Sequence, residues 1–508
     1  MAYADKIKTL EELAQLVAKA KATGNKVVLC HGVFDLLHIG HIRYFGQAKA
    51  MGDILVVTLT SDRHVDKGPG RPVFSETLRA EGLASLNDVD FVAINAWDTA
   101  EETLRLLRPD IYVKGEEFRN IASDMTGRMG KEGAVVKELG IRLEFAGDIV
   151  FSSSNLINRY LSNLPKEIQT YLQLFKTRYT MDEVLAALDK MQELRVLVVG
   201  DTILDEYQYC NAIGKSSKDP VLAVSYQTKD MFAGGALAVA NHVANFAGSV
   251  GLLTTLGDHE RYEDFIRANL NPAINAKFLT KPNSPTTIKR RIVDSYSFTK
   301  LIEIYVMNSE PATPALEEEA CAYLLSVLRD YDLVIAADFG HSAISPRMIN
   351  MLMEFSPYLA VNVQANAGNR SFNTLSKYPR ADFISLAEHE IRLETRDLLS
   401  DVRSLMTPLA VRTGSRHFIV TLGRSGCAVT TRGRTFVKIP SFASNVVDRV
   451  GAGDALLSVG ALASRLDLPD EIIGFIGNVV GGLAVECIGN QRSIDPLSAK
   501  KYIKALLK

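Results

Sequence analysis

The chain has 508 residues, 47% hydrophobic and 23% charged, with a formal net charge of −2. That is ordinary globular composition, long enough for two to four domains, and it gives no bulk electrostatic case for nucleic acid or an anionic membrane as partner. Five cysteines, none in a Cys-x-x-Cys pair, suit a reducing cytoplasm and argue against a zinc site. The opening MAYADKIKTL has no signal-peptide pattern and no apolar run reaches spanning length, so a cytoplasmic protein without a membrane segment is expected.

Residues 8–22 form an amphipathic helix, with Leu10, Leu13, Leu16 and Val17 on one side. Lys26 to Cys30 then reads as a buried strand and runs into CHGVFDLLHIGH, Cys30 to His41. Ile39 to Ala50 has helical length, so His38 and His41 share a face at a helix start. Unpaired N–H groups, the positive end of the helix dipole and two imidazoles suit phosphate oxygens there, and Gly40 lets a ligand approach the backbone. By itself His-x-x-His is also compatible with a metal pair or with two polar residues at a helix start. Asp53 to Thr60 reads as a second strand, parallel to the first. A polar stretch follows, with Lys67, Arg71 and Arg79 as cations for a triphosphate. Val89 to Ile94 and Arg108 to Gly115 are further strands, the latter ending in Lys114 and Gly115. Phe151 to Ile157, FSSSNLI, has a helix N-cap pattern. Leu161 to Leu194 has no glycine and reads as bracing helices, with Thr180 as a cap.

A fresh α/β pattern opens at Arg195 to Gly200 and continues through GDTILDEY, which holds Asp201 and Asp205. Val221 to Thr228 alternates like a strand of a small sheet, and FAGGALAVANH enters a helix through Gly234 and Gly235. Thr286 to Val293 and Lys300 to Val306 read as a hairpin, with Lys289 and Arg291 on one face. Strands and helices then alternate as in a parallel sheet covered by helices. In DRVGAGDA, Gly451, Ala452 and Gly453 lead into a helix and offer N–H groups to a transferred phosphoryl group. Asp454 is placed to take the proton of an attacking hydroxyl.

The twelve residues from Cys30 to His41 resemble the HxGH nucleotidylyltransferases, which join an NTP to a phosphorylated alcohol or sugar and release pyrophosphate. The resemblance implies a Rossmann-like domain over 1–160, with His38, His41 and Lys67 catalytic. Nucleotide contacts are implied for Gly32, Phe34, Gly40, Arg79, Lys114, Gly115, and for Ser152, Ser153 and Ser154, which stand where that family has Ser-Thr-Thr. After a helical connection at 161–194, residues 195–508 resemble the ribokinase-like (PfkB) sugar kinases, an α/β fold with a small β-sheet lid. This implies Asp454 as base, and Thr421, Gly423, Gly426, Gly451, Ala452 and Gly453 on the nucleotide side. It implies Asp205, Gly234, Gly235, Lys289 and Arg291 on the acceptor side. The two halves together resemble the bifunctional family that pairs a heptose 7-phosphate kinase with a heptose 1-phosphate adenylyltransferase, with the domain order exchanged. Ala238, Asn362 to Gly368, His341 and Val450 depart from that pattern where sugar and ATP would lie. They imply a different acceptor or a weakened kinase.

The expectation is therefore a bifunctional α/β enzyme of nucleotide-activated sugar synthesis. Magnesium would accompany ATP or another NTP, with no metal site of the protein's own. NTPs and sugar phosphates would be its partners, and it would pair as a homodimer through the lid. The alternatives are a cytidylyltransferase for a polyol or sugar phosphate with a divergent or inactive kinase half, and a sensing protein that binds nucleotides without turnover.

Overall fold

A computed structural model describes residues 3–65, 71–119, 128–146, 164–370 and 372–507. The chain divides into two compact units, one of residues 1–164 with 500–508 and one of residues 165–499.

The first unit is built on five parallel strands: β1 (Val27–Gly32), β2 (Ile54–Thr60), β3 (Phe91–Asn95), β4 (Ile111–Gly115) and β5 (Arg142–Ala146), in the order β3-β2-β1-β4-β5. β1 shows why this stretch is a strand buried on both faces. Val27 and Leu29 pack into one apolar cluster with Leu10, Leu13 and Val17 of the helix Leu10–Ala22. Val28 and Cys30 point into the other, with Tyr44, Phe45 and Ala48 of the helix Ile39–Lys49. A side-chain period of two places neighbouring residues on opposite faces, so a continuous apolar run serves both layers. Thr9 starts the first helix with a reciprocal capping box to Glu12, which contributes about 1 kcal/mol. The strand order reverses between β1 and β4, and a crevice opens beyond the carboxyl ends of strands at such a switch. The chain leaves β1 there into GVFDLLHIGH.

The second unit is organised by β6 (Arg195–Lys215), a 21-residue strand with two roles. Its first residues lie between β8 (Ser249–His259) and β12 (Leu333–Asp338), parallel to both. Its later residues leave that sheet. They pair antiparallel with β7 (Leu222–Gly235) and parallel with β10 (Ile288–Asp294), which pairs antiparallel with β11 (Lys300–Val306). These four strands form the small sheet expected as a lid. The main sheet adds β9 (Ile274–Pro285) beyond β8. On the other side it continues through β13 (Leu359–Val363), β14 (Phe383–Ala387) and β15 (His417–Thr421) to the antiparallel β16 (Cys427–Thr431) and β17 (Val437–Ile439). The strand read from Val221 to Thr228 runs on to Gly235, because β6 continues to pair with it as far as Thr202↔Gly235. The helices Lys166–Arg178 and Met181–Lys190 precede β6, the second held by a capping box at Thr180. Among the described residues no helix is long and apolar enough to cross a membrane.

Candidate active sites

In the first unit the chain passes from β1 through Phe34, held at a positive φ of 49°, into the helix Ile39–Lys49. A side chain on Gly32 would meet the Phe34 ring at 2.9 Å, so glycine is required where that ring folds back. His38 is the N-cap, and its Nδ1 accepts from the Gly40 N–H at 3.1 Å. That bond selects the tautomer: in the neutral ring the proton sits on Nε2, which becomes a donor. Burial pushes the His38 pKa down, which keeps the ring neutral at pH 7. His41 stacks on His38 with ring centroids 4.0 Å apart, and the Phe34 ring lies edge-on to His41 at 5.4 Å. Two imidazoles are thus held side by side at the start of this helix, beside the switch point, an arrangement suited to anionic oxygens.

The other expected residues of this unit take different places. Arg79 is 3% exposed and directs its guanidinium to the carbonyls of Val33 (2.5 Å), Thr60 (2.9 Å) and Phe74 (3.0 Å) and to Asp62 (2.6 Å). It ties the carboxyl end of β2 to the loop leaving β1. Asp35 of GVFD does the same for the polar stretch, accepting from the N–H groups of Val73 and Phe74 and from Arg71. Lys114, near the end of β4, lies 2.7 Å from Glu132, which also accepts from the Tyr112 hydroxyl. Burial alone would raise the Glu132 pKa, but Lys114, His31 and Tyr112 hold it below the usual carboxylate range. Gly115 follows as the cap of a short 3-10 turn. Lys67, Ser152, Ser153 and Ser154 lie outside the described residues.

In the second unit the residues expected on the acceptor side converge. Asp205 on β6 pairs in register with Lys289 on β10, and its carboxylate receives Arg291 at 2.5 Å. Arg291 also reaches Glu303 at 2.9 Å. A Cβ on Gly234 would collide with Asp205 Oδ2, and Gly235 has φ 59° with the Asp201 carbonyl 2.5 Å from its absent Cβ. Gly234→Ala is therefore expected to destabilise the fold by about 1–3 kcal/mol in a urea melt. Gly453→Ala is the neutral control, because a Cβ there meets open space. Lys289 is buried, with its ammonium 5.5 Å from the Tyr305 ring centre, and burial lowers its pKa. Asp454 sits in the first turn of the helix Ala452–Arg465. Burial and the nearby Asp205 push its pKa up to about 7, against the opposing pull of Lys289. Gly451 caps that helix at φ 87°, with Asn490 packed where a side chain would project.

The pfkB family carbohydrate kinase profile matches residues 193–496, more than half of the sequence. The chain belongs to that family. A cytidylyltransferase-like profile matches residues 29–159. Over its N-terminal part the chain is similar to the bifunctional protein HldE of Citrifermentans bemidjiense, 40% identical over 161 residues, 31% of this chain and 32% of that protein. HldE of Geobacter sulfurreducens is 36% identical over 165 residues, 32% of each chain. The chain thus spans about a third of the length of the curated relatives it matches. Among solved structures, phosphofructokinase-2 from Escherichia coli in complex with potassium is 14% identical with a TM-score of 0.50, covering 62% of this chain and 100% of that one. That likeness shows the fold.

In the pfkB unit Thr421 ends β15, and Gly423 (φ 57°) and Gly426 (φ 87°) form the turn into β16. Other polar groups of this unit went unnominated in the sequence. Asp201 accepts from the N–H groups of Phe339 (2.8 Å) and Ala343 (2.9 Å) and so fixes the loop that carries His341. Burial and the nearby Asp338 raise its pKa to about 6. Glu390 accepts from the Ala365 and Ala387 N–H groups and adds to the field on Asp454. Asp448 lies inside the DRVGAGDA motif itself, and a carboxylate six residues before Asp454 was a signal open to reading. Among the described residues no group of three or more His, Cys, Asp or Glu is arranged to hold a metal.

Proposed function

We propose that the chain is a bifunctional enzyme of nucleotide-activated sugar synthesis. The second unit phosphorylates a sugar or sugar phosphate with ATP, and the first transfers a nucleotidyl group from an NTP to a sugar 1-phosphate. The reading rests above all on one pfkB-unit constellation: Asp454 at the mouth of a glycine-opened helix, with Asp205 and Lys289 facing it. In that unit the acceptor hydroxyl gives its proton to Asp454 as its oxygen bonds to the γ-phosphorus. ADP leaves, and the N–H groups at Gly451 to Gly453 receive the charge of the transferred group. Asp205 orients the acceptor, and Arg291 holds that carboxylate in place through its hydrogen bond. In the first unit a sugar-phosphate oxygen attacks the α-phosphorus and pyrophosphate departs, with the two imidazoles and the helix start stabilising the equatorial and leaving oxygens. Magnesium belongs to this proposal as the ion carried by the triphosphate.

Exposed Leu222, Tyr226, Ile302 and Ile304 on the lid strands support a homodimer through that sheet, which light scattering checks. The cytoplasm is the proposed location, since it supplies the nucleotides both reactions use. The reading is tested by mass spectrometry of products from ATP, CTP, GTP and UTP against sugar 1-phosphates, and from ATP against sugars and sugar phosphates. A nucleotide-sugar with pyrophosphate, and a phosphorylated acceptor with ADP, are expected. Nucleotide binding without turnover in either assay overturns the proposal. A second reading, a cytidylyltransferase for a polyol phosphate, is favoured by the cytidylyltransferase-like match and requires a product from CTP alone.

A further inference from the structure

Asp448 gathers more donors than a loop carboxylate needs. It is 4% exposed and accepts from the Tyr207 hydroxyl at 2.6 Å, the Lys300 ammonium at 2.6 Å and the Gly489 N–H at 3.0 Å. Tyr207 lies on β6 two residues beyond Asp205, and Lys300 opens β11. Two separate lid strands therefore end on the loop that leads into Gly451. The Lys300 ammonium also lies 5.2 Å from the centre of the Tyr207 ring, and the Arg291 guanidinium lies 5.4 Å from it. Since Arg291 holds Asp205, an unbroken run of contacts joins the acceptor-side carboxylate to the anion-hole loop through Arg291, Tyr207 and Asp448. Burial would raise the Asp448 pKa, but Lys300 and Tyr207 hold it below the usual range. The carboxylate is thus charged while Lys300 and Tyr207 hold it. Lys300 is bonded to it and so offsets much of its desolvation, because a buried charge without its partner is strongly unfavourable. The Lys300 side chain is 33% exposed, so the pair can open toward solvent and is weakened by salt.

We infer that Lys300 and Asp448 are positioning residues that pin the lid to the anion-hole loop, so that the N–H groups at Gly451 to Gly453 are aimed only while this pair is closed. The inference rests on the reading of the second unit as an acceptor kinase. Neither side chain is placed on substrate; both act through the loop and through Tyr207.

The test uses the full chain and the acceptor that the product panel identifies. Lys300→Met and Asp448→Asn are each expected to lower kcat by about ten- to a hundred-fold while the KM for ATP shifts less than about threefold, because they disturb aim rather than binding. Lys300→Arg restores kcat to within about threefold of the parent, and the double variant is no worse than the weaker single one, as for two groups acting as a unit. A simple loss of folded protein would instead scale the active fraction and would appear as a lowered melting transition. Hydrogen exchange with adenylyl imidodiphosphate present gives a readout independent of the acceptor: amides 449–453 are expected to exchange faster in Lys300→Met than in the parent or Lys300→Arg. If Lys300→Met keeps the parent kcat while Asp454→Asn abolishes turnover, this inference falls and the kinase reading stands. If Asp454→Asn turns over at the parent rate, the kinase reading falls, and unchanged exchange at 449–453 would then overturn the role of the Lys300–Asp448 pair as well.

Discussion

Replacing His41 with alanine is expected to cut pyrophosphate release by about a hundred- to a thousand-fold, the usual consequence of removing one well-aimed donor from a charge-stabilising site. The ring is held by its stack on His38 at 4.0 Å and by the Phe34 edge at 5.4 Å, so little freedom remains to be frozen when the triphosphate arrives. Folding should hardly change, because His41 is only half-buried and alanine is the better helix former. His38→Ala is the less clean experiment. It removes the Gly40 cap along with the imidazole, and losing a cap costs about 0.5–2 kcal/mol. A coupled pyrophosphate assay on purified full-length His41→Ala decides the point, with ATP consumption by the second unit measured in the same sample as an internal standard. Pyrophosphate release at the parent rate would remove His41 from the chemistry.

The difference between these two histidines shows what could be read from the chain. Their spacing and glycine placed them at a helix start, since helix geometry is local. That His38 is itself the cap, and so has its tautomer chosen, depends on a backbone angle that residue types do not report. Arg79 makes the same contrast over a longer range. Its position in a cationic stretch suggested phosphate, whereas the fold brings onto its guanidinium two carbonyls from strand ends and one from the loop before its own helix. Lys114 finds Glu132 only because β4 and the helix Arg128–Glu138 meet in space. The opening of β6 was legible from Arg195 to Gly200. The strand runs fifteen residues further because β7 and β10 supply partners that no local pattern announces. The glycines were found by type, yet the reason for Gly234 is the Asp205 carboxylate, 29 positions earlier in the chain. The alternation of strands and helices follows from local periodicity, and the two fold types and their motifs from the family resemblances. Which cations face a ligand and which face a carboxylate follows from strand order.

Asp454→Asn is expected to lower ATP-dependent transfer by about a hundred- to ten-thousand-fold, the range associated with loss of a general base. Its pH dependence separates this role from mere scaffolding. With a pKa of about 7, the carboxylate form that accepts the proton accumulates above pH 7 and is lost below it. kcat/KM in the parent should therefore fall about tenfold per pH unit on the acid side and level off on the alkaline side. Asp201 also titrates near pH 6 and sits under a neighbouring loop, so the inflection belongs to Asp454 only if the residual rate of Asp454→Asn loses it. Asp205, Lys289 and Glu390 face the same carboxylate. Removing the Lys289 charge should shift the inflection upward, because that ammonium is what favours the ionised form. Stability runs the other way. The raised folded-state pKa means that ionisation opposes folding, so this group's contribution is fully favourable below about pH 3.8 and is lost as pH rises through about 7. The asparagine variant, which cannot ionise, should then melt higher than the parent at pH 8, with the gap closing toward pH 5. A parent no less stable than Asp454→Asn at pH 8 would mean that the carboxylate is solvated rather than buried, and an unchanged rate in Asp454→Asn would mean that the base has to be sought elsewhere in the unit.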